Sequence, residues 1–71
     1  MEQAIRDYNG RILGFIATDE HTGNKVAKDY YGKILGRYEY QRNVTTDYYS
    51  NVLSQGDILT SLIMENARGN K

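Results

Sequence analysis

Three copies of one motif account for most of the chain. Residues 4–14 read AIRDYNGRILG, residues 26–36 read VAKDYYGKILG, and residues 44–54 read VTTDYYSNVLS. The copies begin 22 and then 18 residues apart and align without gaps, with aspartate and tyrosine at the same two positions. Each copy continues with glycine or serine, a β-branched residue and leucine, and ends on glycine or serine. Such a pattern predicts one supersecondary unit used three times.

The centre of each copy has the composition of a tight hairpin turn. Aspartate at the first position and glycine at the fourth favour a type I turn, and the glycine tolerates the positive φ that closes a three-residue loop with a bulge. This pairing places Asp7 opposite Arg11 and Asp29 opposite Lys33. Each copy is therefore predicted to be a β-hairpin, with return turns at residues 22–25 and 40–43.

The same register predicts strand partners and faces. It places Val26 opposite Gly36 and Val44 opposite Ser54, so that a bulky side chain covers the space beside a small one. Strict alternation puts one set of residues of the first copy on one side, Ile12, Gly14, Ile16 and Thr18, and another set on the other side, Leu13, Phe15 and Ala17. Ile34, Gly36, Tyr38 and Tyr40 form the better core face of the second copy. Because both faces of the first copy are apolar, we expect the second face to be covered by the C-terminal segment or by another subunit.

The C-terminal segment has helical periodicity. Its apolar residues recur at spacings of three and four: Ile58, Leu59, Leu62, Ile63 and Ala67. Asp57, either alone or in a capping box with Ser54, predicts the start of the helix, and Gly69 predicts its end. The fold predicted is mainly β, an antiparallel sheet of three Asp-Tyr-x-Gly hairpins over residues 4–56 followed by one C-terminal α-helix over residues 57–68, in a single domain of residues 1–71.

The tandem Asp-Tyr-x-Gly-[Arg/Lys]-Ile-Leu-Gly units resemble small bacterial proteins of the four-fold β-flower type, which are built from short hairpins around a pseudo-symmetry axis. The resemblance covers roughly residues 4–56 and implies a compact β fold. It implies no known reaction or ligand. Three copies are clear in this sequence, so a fourth would have to come from the termini or the linkers.

Composition excludes several kinds of site. The chain has 71 residues, with nine basic and nine acidic side chains, one histidine and no cysteine. Disulfides, cysteine-ligated metals and multi-histidine metal sites within the chain are therefore excluded. A net charge of zero gives no general attraction to nucleic acid or to an anionic membrane, and no run approaches the roughly 20 apolar residues of a membrane span. Residues 1–11 lack the features of a secretory signal, so we expect a cytoplasmic protein without a membrane partner.

No arrangement of residues indicates catalysis. His21 lies in a polar turn, where an exposed histidine is expected, although a pairing with Asp19 or Glu20 as an acid–base couple is the alternative. The recurring Asp7, Asp29 and Asp47 could surround a cation, but aspartate is also what the first turn position favours. We predict that the chain is not an enzyme and has no cofactor and no metal site.

Two hypotheses for function remain. The first is a small structural or protein-interaction module that forms a homo-oligomer, with Leu59, Leu62 and Ile63 packing either on their own sheet or across an oligomer interface. The alternative is a nucleic-acid-binding module in the basic, tyrosine-rich segment 25–42, because aromatic rings beside basic groups bind single strands. Its candidate surface, which would serve equally for another ligand, consists of Lys28, Tyr30, Tyr31, Lys33, Arg37 and Tyr38.

Overall fold

A computed structural model describes residues 1–69 of the chain. The elements are β1 (Glu2–Arg6), β2 (Ile12–Thr18), β3 (Lys25–Asp29), β4 (Ile34–Glu39), β5 (Val44–Asp47), β6 (Val52–Gln55) and α1 (Leu59–Gly69). All six strands form one antiparallel sheet whose spatial order is the chain order. The predicted fold class, antiparallel hairpins followed by one C-terminal helix, is confirmed. The last two residues of the predicted domain lie outside the described residues.

Each Asp-Tyr-x-Gly segment forms a hairpin turn of the expected kind. In the first copy, the Gly10 N–H donates to the Asp7 carbonyl at 2.9 Å, and the Asp7 N–H donates to the Arg11 carbonyl at 3.0 Å. The fourth turn residue has a positive φ in every copy, 86° at Gly10, 88° at Gly32 and 71° at Ser50. Because glycine adopts this conformation at low cost, the serine of the third copy is the least favourable of the three.

Every hairpin also carries a β-bulge beyond the turn. Ile5 pairs with Gly14, but the next pair is Arg6 with Ile12, so Leu13 is an extra residue in β2. The same shift occurs in the other two hairpins, where the extra residues are Leu35 and Leu53. The leucine that recurs in the repeat is therefore the bulged residue of each hairpin.

The bulge makes part of the predicted register wrong. The predicted partners of Gly36 and Ser54 were Val26 and Val44, and the observed partners are Ala27 and Thr45. The assignment of faces next to the bulge changes for the same reason. Leu13 and Leu35 pack against the core, although strict alternation placed them on the opposite side from Gly14 and Gly36.

Helix α1 covers one face of the sheet, across β2, β3 and β4. The core between them consists of Ile5, Ile16, Ala27, Tyr38, Leu59 and Ile63. Two glycines allow the helix to approach the sheet closely. A Cβ added at Gly14 would meet the Lys28 carbonyl oxygen of β3 and would lie 3.0 Å from Ile63 Cγ2. One added at Gly36 would lie 2.5 Å from the Thr46 carbonyl oxygen of β5 and 2.8 Å from Leu62 Cδ1, so the neighbouring strand and the helix both approach these positions closely.

The start of α1 is held by side chains of the helix cap and of the sheet. The Leu59 N–H donates to Asp57 Oδ1 at 3.1 Å, so the aspartate alone caps the helix, and the Ser54 hydroxyl donates instead to the Gln55 carbonyl. From the sheet, Thr45 Oγ1 accepts the Ile58 N–H at 3.1 Å. Gly69, predicted to lie just beyond the helix, is its last described residue. No helix within residues 1–69 has both the length and the apolar character required to cross a bilayer.

Candidate functional site

The structure divides the predicted nucleic-acid or ligand surface among three places. Tyr30, Tyr31 and Lys33 lie in the turn of the second hairpin. Lys28 and Arg37 lie on the sheet face opposite the helix, where their strand partners are Phe15 and Val26. Tyr38 is only 8% exposed and belongs to the core; its hydroxyl donates to Asn43 Oδ1 at 2.5 Å. The six residues therefore do not form one continuous surface, and Tyr38 must be removed from it.

The helix residues of the predicted oligomer interface lie against the sheet of their own chain. Leu59 and Ile63 are fully buried beneath α1, and Leu62 packs against the same core. These side chains therefore pack on the sheet of their own chain and are not available to a partner. Of the two packing arrangements that the apolar stripe allowed, the structure has the intrachain one.

The three Asp-Tyr-x-Gly turns lie at one end of the sheet, because each joins an odd-numbered strand to the next even-numbered one. We name their exposed tyrosines the tip row: Tyr8, Tyr30, Tyr31, Tyr48 and Tyr49, whose exposed fractions range from 56% to 98%. Successive tips are two strands apart in the order of the sheet. Tyr8, Tyr48 and Tyr49 lie outside the predicted surface, although their recurrence at the same positions of the repeat was a signal for them.

Two of the tips present a pair of crossed rings. The ring centroids of Tyr30 and Tyr31 are 5.4 Å apart, with 86° between the ring planes. Those of Tyr48 and Tyr49 are 5.3 Å apart, at 82°. Each edge-to-face pair offers one ring face beside another ring edge, which is a notch suited to a flat or ridged apolar group. The first hairpin has Asn9 in place of the second tyrosine.

The aspartates of the turns are engaged with their own backbone. In the second copy, Asp29 Oδ1 accepts the N–H groups of Tyr31 and Lys33, both at 2.8 Å. The carboxylates of Asp7 and Asp47 accept the equivalent pairs of amides. The aspartates thus stabilise the turns, as the turn chemistry favours. Among residues 1–69, no group of three or more metal-ligating side chains is close enough together to hold an ion.

The hydrogen bonds at the third tip lower the pKa of Asp47. The largest contribution is the N–H of Asn51, and further donors are the side-chain amide of Asn51 and the N–H of Tyr49. Each of these donors favours the ionised carboxylate over the protonated form. The third turn therefore depends on Asp47 being charged.

A cleft separates the tips from the C-terminal half of α1. Its volume is about 420 Å³, and its walls include Arg11, Leu13, Tyr30, Tyr31 and Asn66. A neighbouring groove of about 610 Å³ shares Arg11 and Leu13 and extends toward Tyr8 and Met64. The tip row is thus continuous with a partly apolar depression that contains hydrogen-bond donors.

The sheet face opposite α1, which we call the open face, carries an apolar residue from every strand. These residues are Ala4, Ile12, Phe15, Ala17, Val26, Ile34, Val44 and Val52, assigned to one face by their pairing. Charged residues of both signs lie among them, and Lys28 Nζ approaches Glu2 Oε2 at 3.8 Å. Bidentate hydrogen bonds from Arg42 lower the pKa of Glu39, at the border of the same face.

His21 lies at the other end of the sheet, in the return turn between β2 and β3. It is exposed, and its backbone N–H donates to Asp19 Oδ1 at 2.9 Å. This contact involves the backbone and does not form an imidazole–carboxylate couple.

No protein-family model, no curated protein and no solved structure matches this chain. The resemblance to the β-flower type therefore stays a prediction. The tip row and the open face are the two surfaces of the sheet that carry exposed or uncovered aromatic and apolar side chains.

Proposed function

We propose that this protein is a small, non-enzymatic structural module that self-associates by packing the open face of one copy against the open face of another. The observation that supports this proposal is the row of apolar side chains on the open face, which are half-buried within the sheet except for Val52, whose exposed fraction is 54%. All six strands contribute an apolar residue to the open face, whereas α1 covers only the opposite side of the sheet. Contiguous apolar surface of this kind typically marks an interaction site.

The charges of the open face favour a second copy as the occupant. Arg6, Lys28 and Arg37 are basic, and Glu2 and Glu39 are acidic. A two-fold interface brings the same surface of each copy together, so it needs a surface that complements itself. A face with both signs of charge around apolar residues meets this requirement, whereas a strongly basic or acidic face would repel its own copy.

The small core also favours burial of a second face. Within residues 1–69 the core has six buried apolar side chains. Burial of a second face would add to the small apolar area that a 71-residue chain can bury by itself.

The nucleic-acid alternative has less support. Its six residues lie on three surfaces, and the three basic residues beside the tip row, Arg6, Arg11 and Lys33, are balanced by the three turn aspartates. Binding to single strands relies on an excess of positive charge beside the aromatic rings.

We also propose that the protein is located in the cytoplasm, which suits a chain without cysteine.

Sedimentation equilibrium tests the self-association. At micromolar concentration we expect a species heavier than the 8.2 kDa monomer. Phe15→Asp, in the interior of the open face, is expected to restore the monomer because it places a charge in the interface. Gln41→Asp adds the same charge in an exposed return turn and should leave the oligomer intact.

Circular dichroism establishes that each variant is folded. If Phe15→Asp does not fold, Ala17→Glu on the same face replaces it. A wild-type chain that stays monomeric across the accessible concentrations contradicts the proposal. So does a folded open-face variant that associates as strongly as the wild type.

A further inference from the structure

We propose that Asn9 is a site of spontaneous deamidation, which converts this residue of the first hairpin turn to isoaspartate and aspartate without an enzyme or a cofactor. The reaction requires the backbone nitrogen of the following residue to reach the side-chain amide. Glycine permits this approach best because it has no Cβ. Asn9 and Gly10 form the only Asn-Gly pair in the sequence. The proposal does not involve the open face, so it is independent of the proposed self-association.

The chemistry needs only water and hydroxide beside the turn itself. Hydroxide removes the proton of the Gly10 nitrogen, and this nitrogen attacks Cγ of Asn9. A bond forms between the nitrogen and Cγ, and the bond from Cγ to Nδ2 breaks. Nδ2 takes a proton from water and leaves as ammonia, which regenerates the hydroxide. The product is a cyclic imide that joins residues 9 and 10.

Water then opens the imide at one of its two carbonyl carbons. Cleavage of the bond between Cγ and the nitrogen gives aspartate with the original backbone. Cleavage of the main-chain bond gives isoaspartate, in which the former side chain carries the backbone onward. Both products replace a neutral amide by a carboxylate.

The tip of the first hairpin leaves room for this reaction. Asn9 and Gly10 are both exposed. Gly10 has a φ of 86°, and apart from its neighbours in the chain no atom of the described residues lies within 4 Å of the position that a Cβ would occupy. Neither the attack nor the entry of water is therefore hindered by packing.

One hydrogen bond of the turn opposes the reaction and sets its rate. The Gly10 N–H donates to the Asp7 carbonyl at 2.9 Å, which keeps the proton on the nitrogen that must attack. The turn must therefore open locally before the imide can form. An exposed hairpin tip opens at a small cost in free energy, so the hydrogen bond slows the reaction without preventing it.

The repeat confines the reaction to the first hairpin. At the position of Asn9, the second and third copies have Tyr31 and Tyr49, which carry no amide. The other asparagines of residues 1–69 precede lysine, valine or alanine, whose Cβ hinders the attack. They are Asn24, Asn43, Asn51 and Asn66. The chain thus contains its own controls.

Isoaspartate would lengthen the backbone of the turn by one carbon and displace the contacts that define it. Asp7 Oδ1 accepts the N–H groups of Asn9 and Arg11 at 2.9 and 3.0 Å, and the Gly10 carbonyl accepts a hydrogen bond from Arg6 Nη1 at 2.8 Å. Within residues 1–69, β1 pairs with β2 alone, and this turn connects the two strands. Deamidation should therefore loosen β1 and leave the other hairpins in place.

Peptide mapping by mass spectrometry during incubation of the folded chain at mildly alkaline pH tests the proposal. We expect residue 9 to deamidate at least about 10-fold faster than any of the four control asparagines, because only its neighbour lacks a Cβ. The rate should rise with pH, since the attacking nitrogen must lose its proton. Protein isoaspartyl methyltransferase, which recognises isoaspartate and not aspartate, should label the incubated chain. Asn9→Gln should abolish this label, because the longer side chain closes the ring poorly.

A transplanted asparagine gives a second readout. Tyr31→Asn places an asparagine before Gly32, which has a φ of 88° and the same open space as Gly10. We expect residue 31 of this variant to deamidate at a rate comparable to that of Asn9. Tyr49→Asn is the matched control, because Ser50 follows it and has a Cβ, so its reaction should be slower. Tyr31 and Tyr49 are exposed, so both variants should fold, and circular dichroism checks this.

Several outcomes would overturn the proposal. These are equal rates at Asn9 and the control asparagines, a methyl label that persists in Asn9→Gln, or a folded Tyr31→Asn variant that stays unmodified at residue 31. A free peptide of residues 4–14 gives the rate without the folded turn. A folded chain that reacts more than about 10-fold slower than this peptide would also contradict the proposal, because the tip would then not open at low cost.

Discussion

The second and third hairpins have the same type of turn but differ in what packs over them. In the second, the bulged Leu35 packs against the core and Gly36 lies directly beneath Leu62 of α1. In the third, the bulged Leu53 is 47% exposed and Ser54 replaces the glycine. Both hairpins nevertheless form, with the same aspartate contacts. The turn chemistry is therefore sufficient for the hairpin, whereas the glycine at the end of the motif reflects the close approach of both the neighbouring strand and the helix.

The test with the largest expected effect places alanine at the end of each motif, which adds a Cβ at Gly36 and removes a hydroxyl at Ser54. In Gly36→Ala the new Cβ would lie 2.5 Å from the Thr46 carbonyl oxygen and 2.8 Å from Leu62 Cδ1. We expect a loss of about 3 kcal/mol of unfolding free energy, because backbone must move. Ser54→Ala should change the unfolding free energy by less than about 0.5 kcal/mol. Urea denaturation measures both, and equal losses would show that α1 does not distinguish the hairpins.

A smaller effect is expected from truncation of the bulged leucines. Leu35→Ala should cost about 2 kcal/mol, because it removes side-chain volume that packs against the core. Leu53→Ala should cost no more than about 0.5 kcal/mol, since Leu53 is largely exposed. Thermal unfolding would resolve the pair, as each kcal/mol shifts the Tm of such a domain by roughly 4–8 °C. A larger shift for Leu53→Ala would contradict the difference in packing.

The smallest effect concerns the turn of the third hairpin in acid. Because hydrogen bonds hold the pKa of Asp47 below its usual range, the charged carboxylate stabilises the folded turn at neutral pH. This contribution is lost as the pH falls through the lowered, folded-state pKa. In an NMR titration, the amide shifts of Tyr49 and Asn51 should move together, with a midpoint below that of an ordinary aspartate. A midpoint at or above the ordinary value would mean that the turn does not depend on this charge.

Sequence reasoning identified the local features well. Aspartate and glycine at fixed positions determine the turn through backbone conformation and amide contacts within a few residues, so Asp7, Gly10 and their equivalents were predictable. The C-terminal helix was predictable because its apolar residues follow the helical period and Asp57 caps its start. Each of these features depends only on neighbours along the chain.

The features that escaped prediction are those that an alternating or helical pattern does not encode. Strict alternation assumes that each residue of one strand pairs with one residue of the next strand. The bulges insert Leu13 and Leu35 as extra residues, so the predicted pairs were shifted by one. The recurrence of leucine on the supposedly outer side of each copy was the available signal. The burial of Leu59 and Ile63 followed from the docking of the helix on its own sheet, which periodicity alone cannot distinguish from docking on a partner. Alternation had placed Tyr38 on the core face, where the structure has it. The alignment of the tips required the order of the strands.

The short connection between β6 and α1 limits how many hairpins this architecture can hold. Residues 56–58 alone link the last strand to a helix that rests across β2, β3 and β4. A further hairpin inserted before the helix would move its starting point by two strands, about 9.6 Å. The helix would then sit over Gly36 and Ser54 rather than over Gly14 and Gly36. The short linker therefore determines which strands the helix covers. The number of hairpins and the positions of the glycines must match for this reason.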